Sequence, residues 1–249
     1  MAPERHALVA GIRVDPLTYD EAVDVVASAA AARTSSYVCV ANVHMVMEAN
    51  DDPDFAGVLR EALAVTPDGM PLVWMLRALG HETSRVYGPE LTLRVCDRAE
   101  WDGLSVALYG GTEESLEDFT DFLHERNPGL HIATRIAPPF RALTDEEDAA
   151  YTEKIRASGA HIVFVGIGCP RQEWWMARHR GRIDAVMLGV GAAFDFHSGR
   201  VRQAPPTVQK LGMEWAFRLA MEPRRLARRY LKHNPRFAAR ALRQLTRGT

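Results

Sequence analysis

Residues Gly189–Leu231, GVGAAFDFHSGRVRQAPPTVQKLGMEWAFRLAMEPRRLARRYL, join an apolar core to a basic helical segment. The first part, Gly189–Asp195, has the pattern of a strand end followed by a glycine turn, which is where an open α/β sheet presents its ligand crevice. The second part carries Arg218, Arg225 and Arg228, which share roughly one face if a single regular helix holds all three. Guanidinium groups on one face suit a ligand that bears phosphate.

Short, almost wholly apolar segments alternate with helical patterns in the first two hundred residues. The segments that predict strands are Ile12–Val14, Tyr37–Ala41, Leu63–Thr66, Ser105–Tyr109, His161–Gly166 and Asp184–Leu188. Such alternation favours an α/β fold with α/β/α layers around a Rossmann-like parallel sheet. A basic C-terminal helical arm follows. We expect a core of residues 1–199, with a soft subdomain boundary near 100–103, and an arm of residues 200–249.

Charge is distributed unevenly along the 249 residues. Residues 200–249 carry 13 Lys and Arg against 2 Asp and Glu, whereas residues 1–199 carry 17 against 30. The near-neutral total therefore hides a strongly basic arm. A basic segment of this kind is suited to bind phosphate groups. The candidate partners are nucleic acid, an anionic membrane and a diphosphate ligand.

The cysteines and the N-terminus argue against a secreted, zinc-binding or membrane-spanning protein. Cys39, Cys96 and Cys169 are far apart, which predicts neither a disulfide framework nor a zinc site and fits a reducing cytosol. The N-terminus lacks the pattern of a signal peptide, and no apolar run approaches the ~18 residues that span a bilayer. Any membrane contact is expected to be peripheral.

Two polar residues follow predicted strands. Asn42 comes directly after Tyr37–Ala41, where it is equally suited to cap the next helix or to contact a ligand. Asp68 lies on a Pro/Gly turn after the next strand. By itself this pattern fits a general base and a helix cap equally well.

Several short motifs follow one another along the chain. They are Arg85–Leu91 (RVYGPEL), Gly168–Glu173 (GCPRQE), Phe194–Asp195 (FD), Arg202–Pro205 (RQAP), Glu214–Trp215 (EW), Glu222–Arg225 (EPRR) and Arg228–Tyr230 (RRY). The series resembles the WecG/TagA/CpsF family of bacterial glycosyltransferases (glycosyltransferase family 26) over nearly the whole chain. Val40 and Met213 depart from the pattern, since Thr and Leu are usual at those positions.

The resemblance implies an inverting hexosyltransferase. It would move a sugar, N-acetylmannosamine-like or a related hexose, from a UDP-sugar to a sugar carried on polyprenyl diphosphate. The setting would be synthesis of cell-envelope or exported polysaccharide, such as the teichoic acid linkage unit, on the cytoplasmic face of the membrane. The resemblance implies no metal and no cofactor. Expected partners are the two substrates and an anionic membrane surface, without nucleic acid; a homo-oligomer is left open.

The resemblance also implies roles for individual residues. Asp68 is the expected catalytic base for the acceptor hydroxyl. The expected substrate-binding residues are Asn42, Gly69, Arg85, Gly88, Gln172, Glu173, Asp195, Arg218, Arg225 and Arg228. Simpler structural interpretations also stand: Arg85 could form an exposed salt bridge, and Glu173 could order a turn or cap a helix.

Some patterns are weaker. Asp52-Pro53-Asp54 matches the D-x-D pattern of metal-dependent glycosyltransferases, but a solvated turn is the favoured interpretation. In the arm, Pro223 and Pro235 predict a division into short helices. The last of these helices has a stripe of arginines opposite apolar residues, which fits either an interfacial helix or an ordinary solvated one.

Two other function classes compete with the transferase. A Rossmann-like nucleotide-dependent oxidoreductase would fit the sheet, but no strand is followed by GxGxxG with an acid ~20 residues further on. A nucleic-acid-binding protein would fit the basic tail, but the tail contains no recognition helix or RNP-like strand.

Overall fold

The computed structural model describes residues 6–201, 203–205, 207–208 and 212–247, apart from the side chains of Arg225 and Arg247. Strands β1 (Ala7–Val9) and β2 (Ile12–Val14) form an antiparallel hairpin. The main sheet contains β3 (Ser36–Ala41), β4 (Ala64–Pro67), β5 (Val106–Gly110), β6 (Ile132–Ile136), β7 (Ile162–Gly166) and β8 (Val186–Gly189). All its pairs are parallel, in the order β4-β3-β8-β7-β5-β6. The predicted Rossmann-like α/β class is confirmed.

Helices flank the sheet and form the arm. They are α1 (Tyr19–Ala31), α2 (Val43–Asp51), α3 (Pro53–Glu61), α4 (Met70–Ala78), α5 (Gly88–Asp102), α6 (Glu113–Arg126), α7 (Asp145–Ala157), α8 (Arg171–His179), α9 (Ala193–His197), α10 (Glu214–Met221) and α11 (Pro223–Arg247). Thr18, Thr112 and Thr144 begin α1, α6 and α7 with capping boxes. These caps satisfy N–H groups that have no partner inside the helix.

Strand β3 shows why the strands are continuous apolar runs. Tyr37, Cys39 and Ala41 lie in the core on one face of the sheet, and Val38 and Val40 lie in the core on the other. Successive side chains of a strand point to opposite faces, so a strand covered on both sides needs apolar residues at every position.

Strand β8 places the two halves of the chain in one sheet. It pairs with β3 on one side and with β7 on the other. The carboxyl ends of β4, β3, β8 and β7 therefore lie along one edge, where open α/β sheets bind ligands. The soft boundary near 100–103 falls at the end of α5, and the division at 199/200 stays a prediction.

Helix α11 continues through Pro235, so the prediction of a break there is wrong. Pro223 does begin a new helix, as its fixed φ allows. Pro235 removes one helical N–H donor, but packing against the core offsets that loss. Three side chains close to the proline in sequence are buried: His233, Phe237 and Ala241.

The end of α11 is tied to the N-terminal hairpin. Gln244 Oε1 accepts a hydrogen bond from Ala10 N (2.8 Å), and Gln244 Nε2 donates to Leu8 O (2.6 Å). Since α11 also packs against α2, the arm is docked on the core along much of its length.

Helix α11 exposes several basic side chains and a few apolar ones. Leu231 and Leu242 are 77% and 64% exposed, and Leu245 is 44% exposed. At 100° per residue these three leucines lie within one narrow stripe. None of the helices in the described ranges has both the length and the apolar composition needed to cross a bilayer.

Candidate active site

Asp68 is the first residue after β4, at the carboxyl edge of the sheet. Its backbone N–H donates to Ala41 O at the end of β3 (2.8 Å), which holds the turn against the neighbouring strand. Arg85 Nε donates to the Asp68 backbone O (2.7 Å), and Arg85 Nη2 lies 3.3 Å from Asp68 Oδ1. The acid expected at the strand tip is therefore held in a defined ion pair.

Arg85 also contacts the arm. Its Nη2 donates to Glu214 Oε2 at 2.7 Å, and the Glu214 side chain is only 9% exposed. Glu214 is the first residue of α10, so this network joins the arm to the core. Because one guanidinium is shared by two carboxylates, Asp68 keeps part of its negative charge uncompensated.

The pKa of Asp68 is raised to about 6. Burial of the carboxyl is the main cause, and Glu214 acts in the same direction, whereas Arg85 and Arg218 lower the pKa. Such a carboxyl is mostly ionised at neutral pH and is a stronger base than an ordinary aspartate. It is therefore suited to accept a proton from a hydroxyl group.

Asn42 caps α2, as one of its two interpretations predicted. Its Oδ1 accepts hydrogen bonds from His44 N (3.1 Å) and Met45 N (3.3 Å). The same oxygen accepts from Arg229 Nη2 of α11 (3.3 Å). Asn42 also touches the turn beside Asp68, since a Cβ added to Gly69 would lie 3.4 Å from Asn42 Cα. Helix cap, acid turn and arm thus converge at one point.

A cavity of about 560 Å³ opens beside this point. Asn42, Asp68 and Arg85 line it from the core, and Arg218 and Arg229 line it from the arm. Its remaining walls come largely from the apolar sides of α4 and α11. The space therefore combines guanidinium groups with a long apolar surface.

The three arginines expected in the arm are placed differently. Helix α10 ends at Met221 and α11 begins at Pro223, so the single regular helix that one shared face would require is not formed. Arg218 lines the cavity and its guanidinium lies 5.4 Å from the centre of the Phe196 ring. Arg228 is exposed. The side chain of Arg225 and the whole of Arg202 lie outside the described residues.

Arg229 was missed at the sequence level. The motif Arg228-Arg229-Tyr230 marks the region, but adjacent helical residues point ~100° apart, and the sequence does not say which arginine faces inward. Glu214 was likewise seen only as part of a motif. Its pairing with Arg85 depends on a fold-back over 129 residues.

Gln172 and Glu173 lie behind the loops rather than on the cavity wall. Both are buried. Gln172 Oε1 accepts from Gly168 N (3.1 Å) and Gly191 N (3.2 Å), and its Nε2 donates to Glu173 Oε1 (2.7 Å). One side chain thus joins the loops after β7 and β8. Burial raises the pKa of Glu173 to about 7.

Two further expected residues stand apart from the cavity. Gly88 packs against Val190 O and Val40 Cγ1, with 3.5 Å to an added Cβ, which brings the start of α5 close to the sheet. Asp195 lies in the first turn of α9 and is partly buried, and burial raises its pKa. Neither residue lines the space beside Asp68.

A second cleft of about 600 Å³ opens at the carboxyl ends of β5 and β7. Its floor includes Gly111 and Gly166. The strands approach closely here, since an added Cβ on Gly110 would lie 2.4 Å from Gly166 O. Arg171 and Arg178 of α8 line the rim. Exposed backbone and nearby guanidinium groups are suited to bind phosphate.

One group has the spacing of metal ligands. Ligand atoms of His44, Glu48 and His233 lie within 4.8 Å of one another. Lys232 Nζ lies 3.5 Å from the same Glu48 oxygen that His233 Nε2 approaches at 3.2 Å. A cation already competes for that carboxylate, so the group is better suited to fasten α11 to α2. The expected absence of a metal stays a prediction.

The D-x-D pattern lies outside this site. Asp52 Oδ1 accepts from Asp54 N (2.9 Å) and Phe55 N (3.2 Å), so it caps α3. Both aspartates are exposed, as expected for a solvated position.

Comparison with known proteins decides the class. A family model described as "Glycosyl transferase WecG/TagA/CpsF family" matches residues 7–249. The chain belongs to this family of glycosyltransferases. It is also 30% identical over 195 residues to an N-acetylglucosaminyldiphosphoundecaprenol N-acetyl-beta-D-mannosaminyltransferase of Bacillus spizizenii, covering 78% of this chain and 74% of the relative. The resemblance in the sequence motifs is thereby confirmed.

Membership of the WecG/TagA/CpsF family favours the transferase over the oxidoreductase and nucleic-acid-binding alternatives. In a glycosyltransferase the central requirement is a base beside a hydroxyl acceptor and positive charge beside a phosphate leaving group. Among the described residues, the carboxylate of Asp68 and the arginines that line the two clefts have the chemistry that these two roles require.

Proposed function

We propose that this glycosyltransferase moves a hexose, of the N-acetylmannosamine type, from a UDP-sugar to a sugar carried on polyprenyl diphosphate. The observation that carries the proposal is the placement of Asp68, with its raised pKa, on the wall of a cavity lined by arginines and apolar helix faces. The name of the Bacillus relative, which specifies an undecaprenol diphosphate sugar and a mannosaminyl group, supports the same acceptor and sugar class.

The proposed reaction is a single displacement. Asp68 accepts the proton of the acceptor hydroxyl while the hydroxyl oxygen forms a bond to the anomeric carbon of the donor. The bond from that carbon to the diphosphate oxygen breaks, and UDP leaves with the electron pair. One displacement inverts the anomeric centre. Arg85, Arg218 and Arg229 would bind the diphosphate of the acceptor beside Asp68, while the diphosphate of the departing UDP would lie toward the second cleft, which Arg171 and Arg178 line.

The second cleft is the proposed place for the nucleotide half of the donor. It lies at the same edge of the sheet as Asp68, with β4 and β7 three strand spacings apart, about 14 Å. An extended nucleoside diphosphate sugar bridges such a distance. Its diphosphate would pass the loops that Gln172 joins.

The arm is the proposed membrane contact. Its basic side chains would attract anionic lipid at about 1 kcal/mol each, and Leu231 and Leu242 would insert at the interface. The enzyme would then act from the cytoplasmic side, where UDP-sugars are made. Flotation with anionic and with neutral vesicles tests this placement; equal recovery with both vesicle types would contradict it.

The reaction itself is tested by supplying purified enzyme with a panel of UDP-sugars and a prenyl-diphosphate-linked N-acetylglucosamine. Mass spectrometry would detect the disaccharide, and NMR of the product would give the anomeric configuration. Added EDTA tests the expected independence from metal. No product with any donor, or retention of configuration, would overturn the proposal.

A further inference from the structure

We propose that the apolar end of the active-site cavity binds the first isoprene units of the acceptor's lipid chain, so that part of the chain leaves the bilayer and enters the protein. This inference rests on the proposed function. It adds a binding subsite, formed by α4 and α11, to the sugar and diphosphate sites beside Asp68.

Helices α4 and α11 form the two long walls of this subsite. Helix α4 begins two residues after Asp68 and leads away from it for about 12 Å. Helix α11 passes Asn42 at Arg229 and reaches the N-terminal hairpin at Gln244, a rise of about 22 Å. The walls therefore start beside Asp68, the proposed base, and end far from it.

The side chains along these walls are apolar and of mixed size. They are Trp74, Met75 and Ala78 on α4, and Phe237, Ala238 and Ala241 on α11. The alanines leave space between the helices, while Trp74 and Phe237 supply broad apolar surfaces. Trp74 is 52% exposed although it lines the cavity. Covering an exposed indole with an apolar ligand removes apolar surface from water and therefore favours binding.

The charge pattern of the cavity selects an amphiphile. Arg85, Arg218 and Arg229 line the part near Asp68, and no charged side chain lines the part between Trp74 and Ala241 among the described residues. A molecule that carries a diphosphate next to a hydrocarbon chain matches both parts in the right order. A second protein chain or the bilayer surface would not place a phosphate at the arginines and a narrow chain between the helices.

The test uses two soluble acceptors that differ only in lipid length. One carries N-acetylglucosamine on geranylgeranyl diphosphate, and the other carries it on a single prenyl unit. The variants are Ala238→Trp, which fills the subsite, and Ala239→Trp, its neighbour on the same helix. Both alanines are exposed, but only Ala238 lines the cavity, so a bulky side chain at either position is tolerated by the fold. Thermal unfolding of each variant verifies this.

In the absence of vesicles, the unaltered enzyme is expected to show a KM for the geranylgeranyl acceptor at least about tenfold below that for the prenyl acceptor. Ala238→Trp is expected to remove this difference by raising the KM of the longer acceptor alone, and Ala239→Trp is expected to preserve it. Equal KM values for both acceptors, or a difference that survives in Ala238→Trp, would overturn the subsite while leaving the proposed function intact. Failure to use either acceptor would instead count against the proposed function.

Discussion

Arg229 Nη2 of the arm lies 3.3 Å from Asn42 Oδ1, the oxygen that caps α2. The contact joins residues 187 positions apart and brings a guanidinium group to the mouth of the cavity beside Asp68. The arm is thus part of the candidate active site and more than an electrostatic attachment.

The first prediction concerns this contact. Arg229→Ala is expected to reduce kcat/KM for the lipid-linked acceptor by at least tenfold, because a charged group that contacts diphosphate contributes about 1.5–3 kcal/mol. Arg240→Ala is the matched control, since Arg240 is an exposed arginine of the same helix that does not line the cavity. Steady-state kinetics with a water-soluble acceptor separates this effect from membrane attachment. Equal losses in both variants would remove Arg229 from the site.

The sequence could predict most of the sheet because its inner strands are buried on both faces, whereas the partly exposed edge strand β6 was not predicted. Residues 37–41 and 162–165 are apolar at every position, and the structure places them at the centre of the sheet. The tip of β4 was also predictable, since an acid between Pro67 and Gly69 can only lie in a turn. These features depend on neighbours in sequence.

Other features depend on contacts between distant parts of the chain. The helix through Pro235 is stabilised by packing of Phe237 and Ala241 on the core, which local propensity does not reveal. The same holds for the choice of Arg229 over Arg228. Gln172 shows a third limit: its motif was visible, but the sequence did not reveal that its side chain accepts hydrogen bonds from N–H groups of two different loops. Its expected contact with substrate stays a prediction.

The second prediction concerns the base. Asp68→Asn is expected to lower kcat by at least a hundredfold, because general base catalysis contributes roughly 10²–10⁴-fold. In the unaltered enzyme kcat/KM should rise with pH through about 6, since only the ionised carboxylate accepts a proton. Asp52→Asn, at the exposed cap of α3, is expected to keep normal turnover because Asn is also a good cap. A normal rate in Asp68→Asn would remove the base assignment.

Stability of the same variant gives the third prediction. A folded-state pKa raised above the unfolded value means that the folded protein binds the Asp68 proton more tightly, and that stabilisation is lost as pH rises through about 6. Asn resembles the protonated acid at every pH, so the Asn variant keeps this stabilisation as the pH rises. Asp68→Asn should therefore unfold at a temperature no lower than the unaltered enzyme at pH 8. A clear decrease in Tm would show that the pair with Arg85 is a net source of stability.

Glu173 permits a fourth prediction, away from the cavity. Burial raises the pKa of Glu173 to about 7. The protonated side chain therefore contributes to folding stability fully below about pH 4.5, and that contribution is lost as the pH rises through 7. Glu173→Gln should raise the stability at pH 8 relative to that at pH 5, because Gln172 can still donate to an amide oxygen. Scanning fluorimetry at both pH values measures the change, with exposed Glu117→Gln as control. The same pH dependence in both variants would contradict the assignment.

The last prediction concerns how the arm is held over the site. Gln244→Ala removes two hydrogen bonds to the hairpin, with Ala10 N and Leu8 O, and should weaken docking of the end of α11 by about 1–3 kcal/mol. Neighbouring Arg243 is exposed, and Arg243→Ala should have little effect. Hydrogen exchange of the α11 amides measures the docking directly. Faster exchange confined to Gln244→Ala would be accompanied by a higher KM for a long-chain acceptor, since α11 forms one wall of the cavity. Unchanged exchange would mean that packing on α2 alone holds the helix.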